Sequence, residues 1–183
     1  MTRRLYGSLL GMVFVVNFGR VAFAPLVEPL QAAFDVGPAT IGAVVSLVWF
    51  GTALPRLPLS YVLTRVSRRR VVVVAGLSLT GAAVLTALSP DIRTLRLGVL
   101  AVGVASGTYF VSAVPLIGEL YPDRVGKRIG IHGTAAQLAA VAAPTVVVSV
   151  VAVATWRAVF WLLAVAAFTT TVVFAVGLRR TDQ

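Results

Sequence analysis

The chain has 183 residues, of which 58% are hydrophobic and only 12% charged, with mean hydropathy +0.95. A soluble domain of this length carries about twice that charged fraction. The net charge of +10 does not mark a nucleic-acid partner, because the basic residues lie in short loops between apolar runs. With no cysteine there is no disulfide or thiol chemistry. One histidine, His132, and six acidic residues are too few to expect a metal site, and no cofactor is expected either.

The N-terminal stretch has the basic start, the apolar run and the small-x-small triplet (Ala22, Phe23, Ala24) of a signal peptide. Arg20 interrupts the apolar run, however, and Pro25 would follow the cut, so the segment reads as a retained first membrane helix. A membrane span needs ~20 mostly apolar residues. Six segments meet this, at roughly 5–27, 40–63, 71–89, 95–118, 130–152 and 158–178. The predicted fold class is therefore all-α: a single polytopic bundle of six transmembrane helices over 1–183, with the lipid bilayer as its first partner. Gly103 and Gly107 on span 4, and Gly7 and Gly11 on span 1, form small-xxx-small faces that allow helices to approach closely.

Basic residues set the orientation. Arg3, Arg4, Arg65, Arg68, Arg69, Arg70, Arg124, Lys127, Arg128, Arg179 and Arg180 fall on one side. Only Arg93, Arg96 and Arg157 fall on the other. Loops rich in Lys and Arg stay in the cytoplasm, so both termini are expected there, with the chain in the cell membrane.

Spans 3 and 6 carry no charge and read as peripheral. The other spans carry polar residues at helical spacing: Asn17 and Arg20 on span 1, and Thr52, Arg56 and Ser60 on span 2. Span 4 has Ser106, Tyr109 and Ser112, and span 5 has Thr134 and Gln137. Any one Ser or Thr here can be ordinary interhelical glue, but together the stripes predict a polar cavity. Arg56 stands out. It lies nine residues before Arg65, hence ~13 Å inside the cytoplasmic boundary and near the midplane. Pro55 and Pro58 each remove a backbone donor, so the helix is expected to bend there with freed carbonyls. Arg20 lies ~10 Å below the opposite face; it either snorkels outward or turns inward, and if inward the two arginines differ in depth by ~7 Å and can share one anion. No carboxylate falls near the midplane to neutralise them.

Residues 60–69, SYVLTRVSRR, keep the spacing and all three arginines of G-x-x-x-D-R-x-G-R-R, with Ser60 and Ser67 at the glycines and Thr64 at the aspartate. Residues 156–160, WRAVF, match W-R-x-x-F at the start of span 6. Gly103 sits in a glycine-rich span 4, although Val99 stands where an arginine is usual. Pro144 occupies the proline of an antiporter signature whose glycines are here Ala143, Val147 and Val148. In order and spacing these features resemble the amino-terminal half of a major facilitator superfamily transporter, and Arg56 is similar to the span 2 arginine of its nitrate/nitrite and organic-anion branches.

That resemblance implies two inverted three-helix repeats, with spans 1 and 4 lining the path. It carries a substrate-contacting role onto Arg56 alone and implies Arg65, Arg68 and Arg69 as a gating loop; Arg20, Asn17, Tyr109 and Gln137, read from the polar stripes, complete the expected substrate-binding set. The expected function is secondary-active transport of a small solute, an anion favoured, by alternating access and without enzymatic activity. The expected partner is a second six-helix half or another copy of the chain. An intramembrane serine protease is the enzymatic alternative, but Ser106 and His132 would lie ~15 Å apart along the bundle axis. A non-transporting membrane subunit is the other.

Overall fold

The structure, a computed structural model, describes residues 2–179, with side chains for 5–178. The helices are α1 (Thr2–Val21), α2 (Val27–Phe34), α3 (Pro38–Ala53), α4 (Arg56–Val62), α5 (Arg68–Ala87), α6 (Ile92–Leu120), α7 (Val125–Val153) and α8 (Trp156–Arg179). Short 3-10 turns cover Ala24–Leu26 and Pro122–Arg124. The described residues contain no strand. Six stretches are long and apolar enough to cross a membrane: Leu5–Phe34, Pro38–Val62, Arg68–Ala87, Ile92–Leu120, Pro122–Val153 and Trp156–Leu178.

Two spans run longer than their hydropathy predicts. The first continues through the 3-10 turn at Pro25 into α2 and stops only at Asp35, whose left-handed backbone (φ 50) ends the helix. The fifth begins within the basic segment at Val125 rather than near 130. Hydropathy marks where a chain turns apolar; hydrogen bonding decides where the helix starts.

Packing has the exchange pattern of two inverted repeats. Helix α5 packs most on α6 and α8, α3 on α6, and α1 on α7 and α8. Exchanging spans 1, 2 and 3 with 4, 5 and 6 turns the α3–α6 pair into α7–α1 and the α5–α6 pair into α8–α1. The α5–α8 pair maps onto itself. The three-plus-three division is thus visible in which helices touch.

Glycines set the α3–α6 contact. A Cβ on Gly51 would stand 2.5 Å from the Leu100 carbonyl oxygen, and one on Gly103 would collide with the Val48 carbonyl. One on Gly107 would meet Pro55 Cγ at 2.8 Å and collide with the Thr52 carbonyl. The span 4 face predicted from Gly103 and Gly107 is therefore a true close approach. On span 1 the expectation fails: nothing lies within 4 Å of a Cβ on Gly7, and Gly11 meets only a Thr170 methyl at 3.5 Å.

Within this chain spans 3 and 6 are not the least covered pair. Of their apolar stretches 50% and 39% are buried, against 33% for span 2 and 22% for span 5. Absence of charge marks a helix that can face lipid or protein equally well. Arg157 and Trp156 show how span 6 is anchored. The Arg157 guanidinium stacks on the Trp156 ring at 4.3 Å and donates to the Ser89 carbonyl, 3.0 Å away, just beyond α5. The W-R-x-x-F segment acts in this way as a clasp between spans 3 and 6. Span 4 starts on a side-chain cap: the Asp91 carboxylate accepts from the Thr94 and Arg93 backbone N–H groups at 2.9 and 2.8 Å. Those bonds hold its carboxyl below the ordinary carboxylate range.

Candidate functional site

Span 2 breaks at the predicted place. Helix α3 ends at Ala53, Leu54 N–H still reaches the Phe50 carbonyl at 3.2 Å, and Arg56 opens α4 directly after Pro55. The ring at Pro55 can neither donate to Gly51 nor pack in an unbroken helix, so the axis is interrupted. Arg56 is exposed there.

Arg20 is half-buried and turned inward, toward the same region. Its Cζ lies 4.5 Å from the Trp49 ring centroid on α3 and 5.1 Å from that of Phe110 on α6. Trp49 lies on span 2 seven residues before Arg56, so Arg20 reaches the span that carries Arg56. Among the described residues, no carboxylate stands within ion-pair distance of either.

Asn17 holds Arg20 in place. Its Oδ1 accepts from Arg20 Nη1 at 3.4 Å, and its Nδ2 donates to the Ala136 carbonyl on α7 at 2.7 Å. Turning the amide over would set donor against donor and acceptor against acceptor, so both contacts fix its orientation. Arg20 Nε, by contrast, is buried without an acceptor. Gln137 follows Ala136 on α7 and is exposed.

Tyr109 belongs to a different place. It is fully buried, its hydroxyl 2.9 Å from the Leu9 carbonyl and 3.0 Å from His132 Nε2. A carbonyl only accepts, so the phenol donates to Leu9 and His132 donates to the phenol through Nε2–H. The two rings stack at 5.9 Å. Tyr109 thereby ties span 4 to spans 1 and 5 in the interior, away from the open face that carries Arg56. Thr52, Ser106 and Ser112 likewise turn inward and donate to carbonyls of their own helices. Ser106 bonds Val102 and His132 bonds Tyr109, so the serine and histidine that a protease would couple have separate partners. Among the described residues, no group of His, Asp or Glu is placed to hold a metal ion.

The loop between spans 2 and 3 borders an open cleft of about 280 Å³ lined in part by Thr64, Arg65, Arg68, Arg69 and Glu119. Arg68 pairs with Glu119 at the end of α6, and Arg65 lies over the Tyr61 ring at 5.1 Å. Thr64 spends its hydroxyl on the Tyr61 carbonyl at 2.7 Å.

Trp49 and Phe110 went unmarked in the sequence, since an aromatic side chain in an apolar span has no polar signature. The available signal was spacing: Trp49 lies seven residues before Arg56, two turns along one face of a straight helix, although the break at Pro55 separates them.

The fold is similar to that of a peptide transporter POT in complex with sulfate, with TM-score 0.83, 18% identity, and coverage of 94% of this chain and 37% of that one. A POT mutant in complex with alafosfalin gives TM-score 0.82 and 18% identity, covering 93% of this chain and 37% of that one. This chain thus spans well under half the length of these transporters. Among curated proteins, none matches it. Its six apolar helices make it a multi-pass membrane protein. The sequence profile of the Major Facilitator Superfamily matches residues 9–183, and the chain belongs to that family.

Proposed function

We propose that the chain carries a small anionic solute across the membrane by alternating access, held by Arg56 and Arg20. One observation carries this reading: Arg20 reaches from span 1 to Trp49 on span 2, the span that bears exposed Arg56, and among the described residues no carboxylate stands within ion-pair distance of either arginine. Unneutralised charge at membrane depth is costly, and a substrate anion offsets that cost. Asn17 positions Arg20, and Gln137 is exposed on span 5. Tyr109 contributes from behind, by fixing spans 1, 4 and 5 to one another.

Rocking requires a second bundle. Spans 2 and 5 are the least buried and bear Arg56 and Gln137, so their open face is where a second six-helix half, or a second copy, would seat. The loop of Arg65, Arg68 and Arg69, tied to Glu119, would latch at the cytoplasmic end. Uptake into proteoliposomes holding the native protein tests the charge preference. Labelled acetate, benzoate, nitrate or sulfate should accumulate above choline and glucose; accumulation of choline or glucose alone would overturn it.

The basic loops support a cytoplasmic side for both termini, and the cysteine-free sequence makes this easy to check. Ser67→Cys should react with an impermeant maleimide only in inside-out vesicles, and Thr155→Cys only in right-side-out ones. The opposite pattern would invert the topology.

A further inference from the structure

Arg20 is held in a way that a simple point-charge site does not require. Its guanidinium lies between two aromatic rings, and Nη1 is engaged by Asn17 while Nε is buried without an acceptor. Buried donors in folded proteins nearly always find an acceptor. Nε and the adjacent Nη2 form the edge of the fork that takes a planar oxyanion in two parallel bonds. One of the two rings over this group is Trp49, which is 53% exposed and so not locked by packing within this chain. The other, Phe110, is half-buried and stays as a wall, braced edge-on against Tyr109 at 5.7 Å.

We infer that the solute is an organic carboxylate with a planar apolar body, and that Trp49 is the specificity-determining residue. This rests on the anion reading above and narrows it. A compact, strongly hydrated anion such as sulfate must shed water on reaching Arg20, and aromatic walls return no hydrogen bonds for what is lost. A carboxylate bearing a ring gives both oxygens to the Arg20 fork and lays its ring against the displaced indole. Arg56, exposed at the helix break, adds its charge from the open side.

Titration of the purified native protein in lipid nanodiscs with benzoate, acetate and sulfate tests this. Benzoate should bind about tenfold more tightly than acetate, with sulfate weakest. Trp49→Ala should bring the benzoate-to-acetate ratio close to one, and Trp49→Phe, which keeps a ring, should retain most of it. Equal affinities in the native protein, or a benzoate preference that survives Trp49→Ala, would overturn the proposal while leaving the anion site standing. No binding of any of the three anions to the native protein would overturn both.

Discussion

Gly103→Val destabilises the bundle severely, whereas Gly7→Val leaves it nearly unchanged. Both glycines lie in membrane helices and both belong to a small-xxx-small pair, so composition gives no reason for a difference. The reason is what each faces. A Cβ on Gly103 collides with the Val48 carbonyl and stands 3.0 Å from Gly51 Cα, both backbone atoms that cannot rotate away. Helix α3 must then move off α6, losing the contacts of Gly51 and Gly107 with it. Overpacking of a dense interior costs about 1–3 kcal/mol, and a backbone collision belongs at the top of that range. Around Gly7 there is nothing within 4 Å. Thermal unfolding in detergent, followed by loss of the monodisperse peak, measures the difference. Equal melting of the two variants would mean that α3 and α6 are not in this register.

Arg20→Gln lowers anion uptake by roughly 30-fold or more, the range for removing one partner of a desolvated charge pair, and Arg56→Gln lowers it by less because that guanidinium is exposed. The lysine variants separate the two roles. Arg56 is exposed and acts mainly through its charge, so Arg56→Lys keeps much of the uptake. Arg20 uses a flat fork held between two rings with Asn17 on one nitrogen. An ammonium group reproduces neither the stacking nor the paired donors, so Arg20→Lys fails nearly as badly as Arg20→Gln. Asn17→Ala lies between them, because it frees the Arg20 head without removing it. Uptake at matched protein level in membranes reads all five. If Arg20→Lys transports as well as the native chain, the fork geometry is not what binds.

The six spans and the broken second helix were legible because each rests on a local rule, apolar length in one case and proline chemistry in the other. The Gly103 and Gly107 face was legible for the same reason. Helical spacing also grouped Ser106, Tyr109 and Ser112 correctly on one face of span 4. It does not say which neighbour covers that face. Spans 1 and 5 do, so the stripe became an interior lock through Leu9 and His132 rather than the wall of an open cavity. Thr52 shares a face with Arg56 only while the helix is straight, and the break at Pro55 leaves one against α6 and the other in the open. Trp49 and Phe110 were missed because their part depends on Arg20 arriving between them from span 1, a meeting of three spans that no single window contains.

The shared site is tested most directly by a double-mutant cycle on anion affinity, comparing the native protein, Arg20→Gln, Arg56→Gln and the double variant by titration with benzoate. If one anion bridges both guanidinium groups, the double variant binds little worse than either single one, since each alone already breaks the bridge. Losses that multiply independently would show that the two arginines do not hold the same anion.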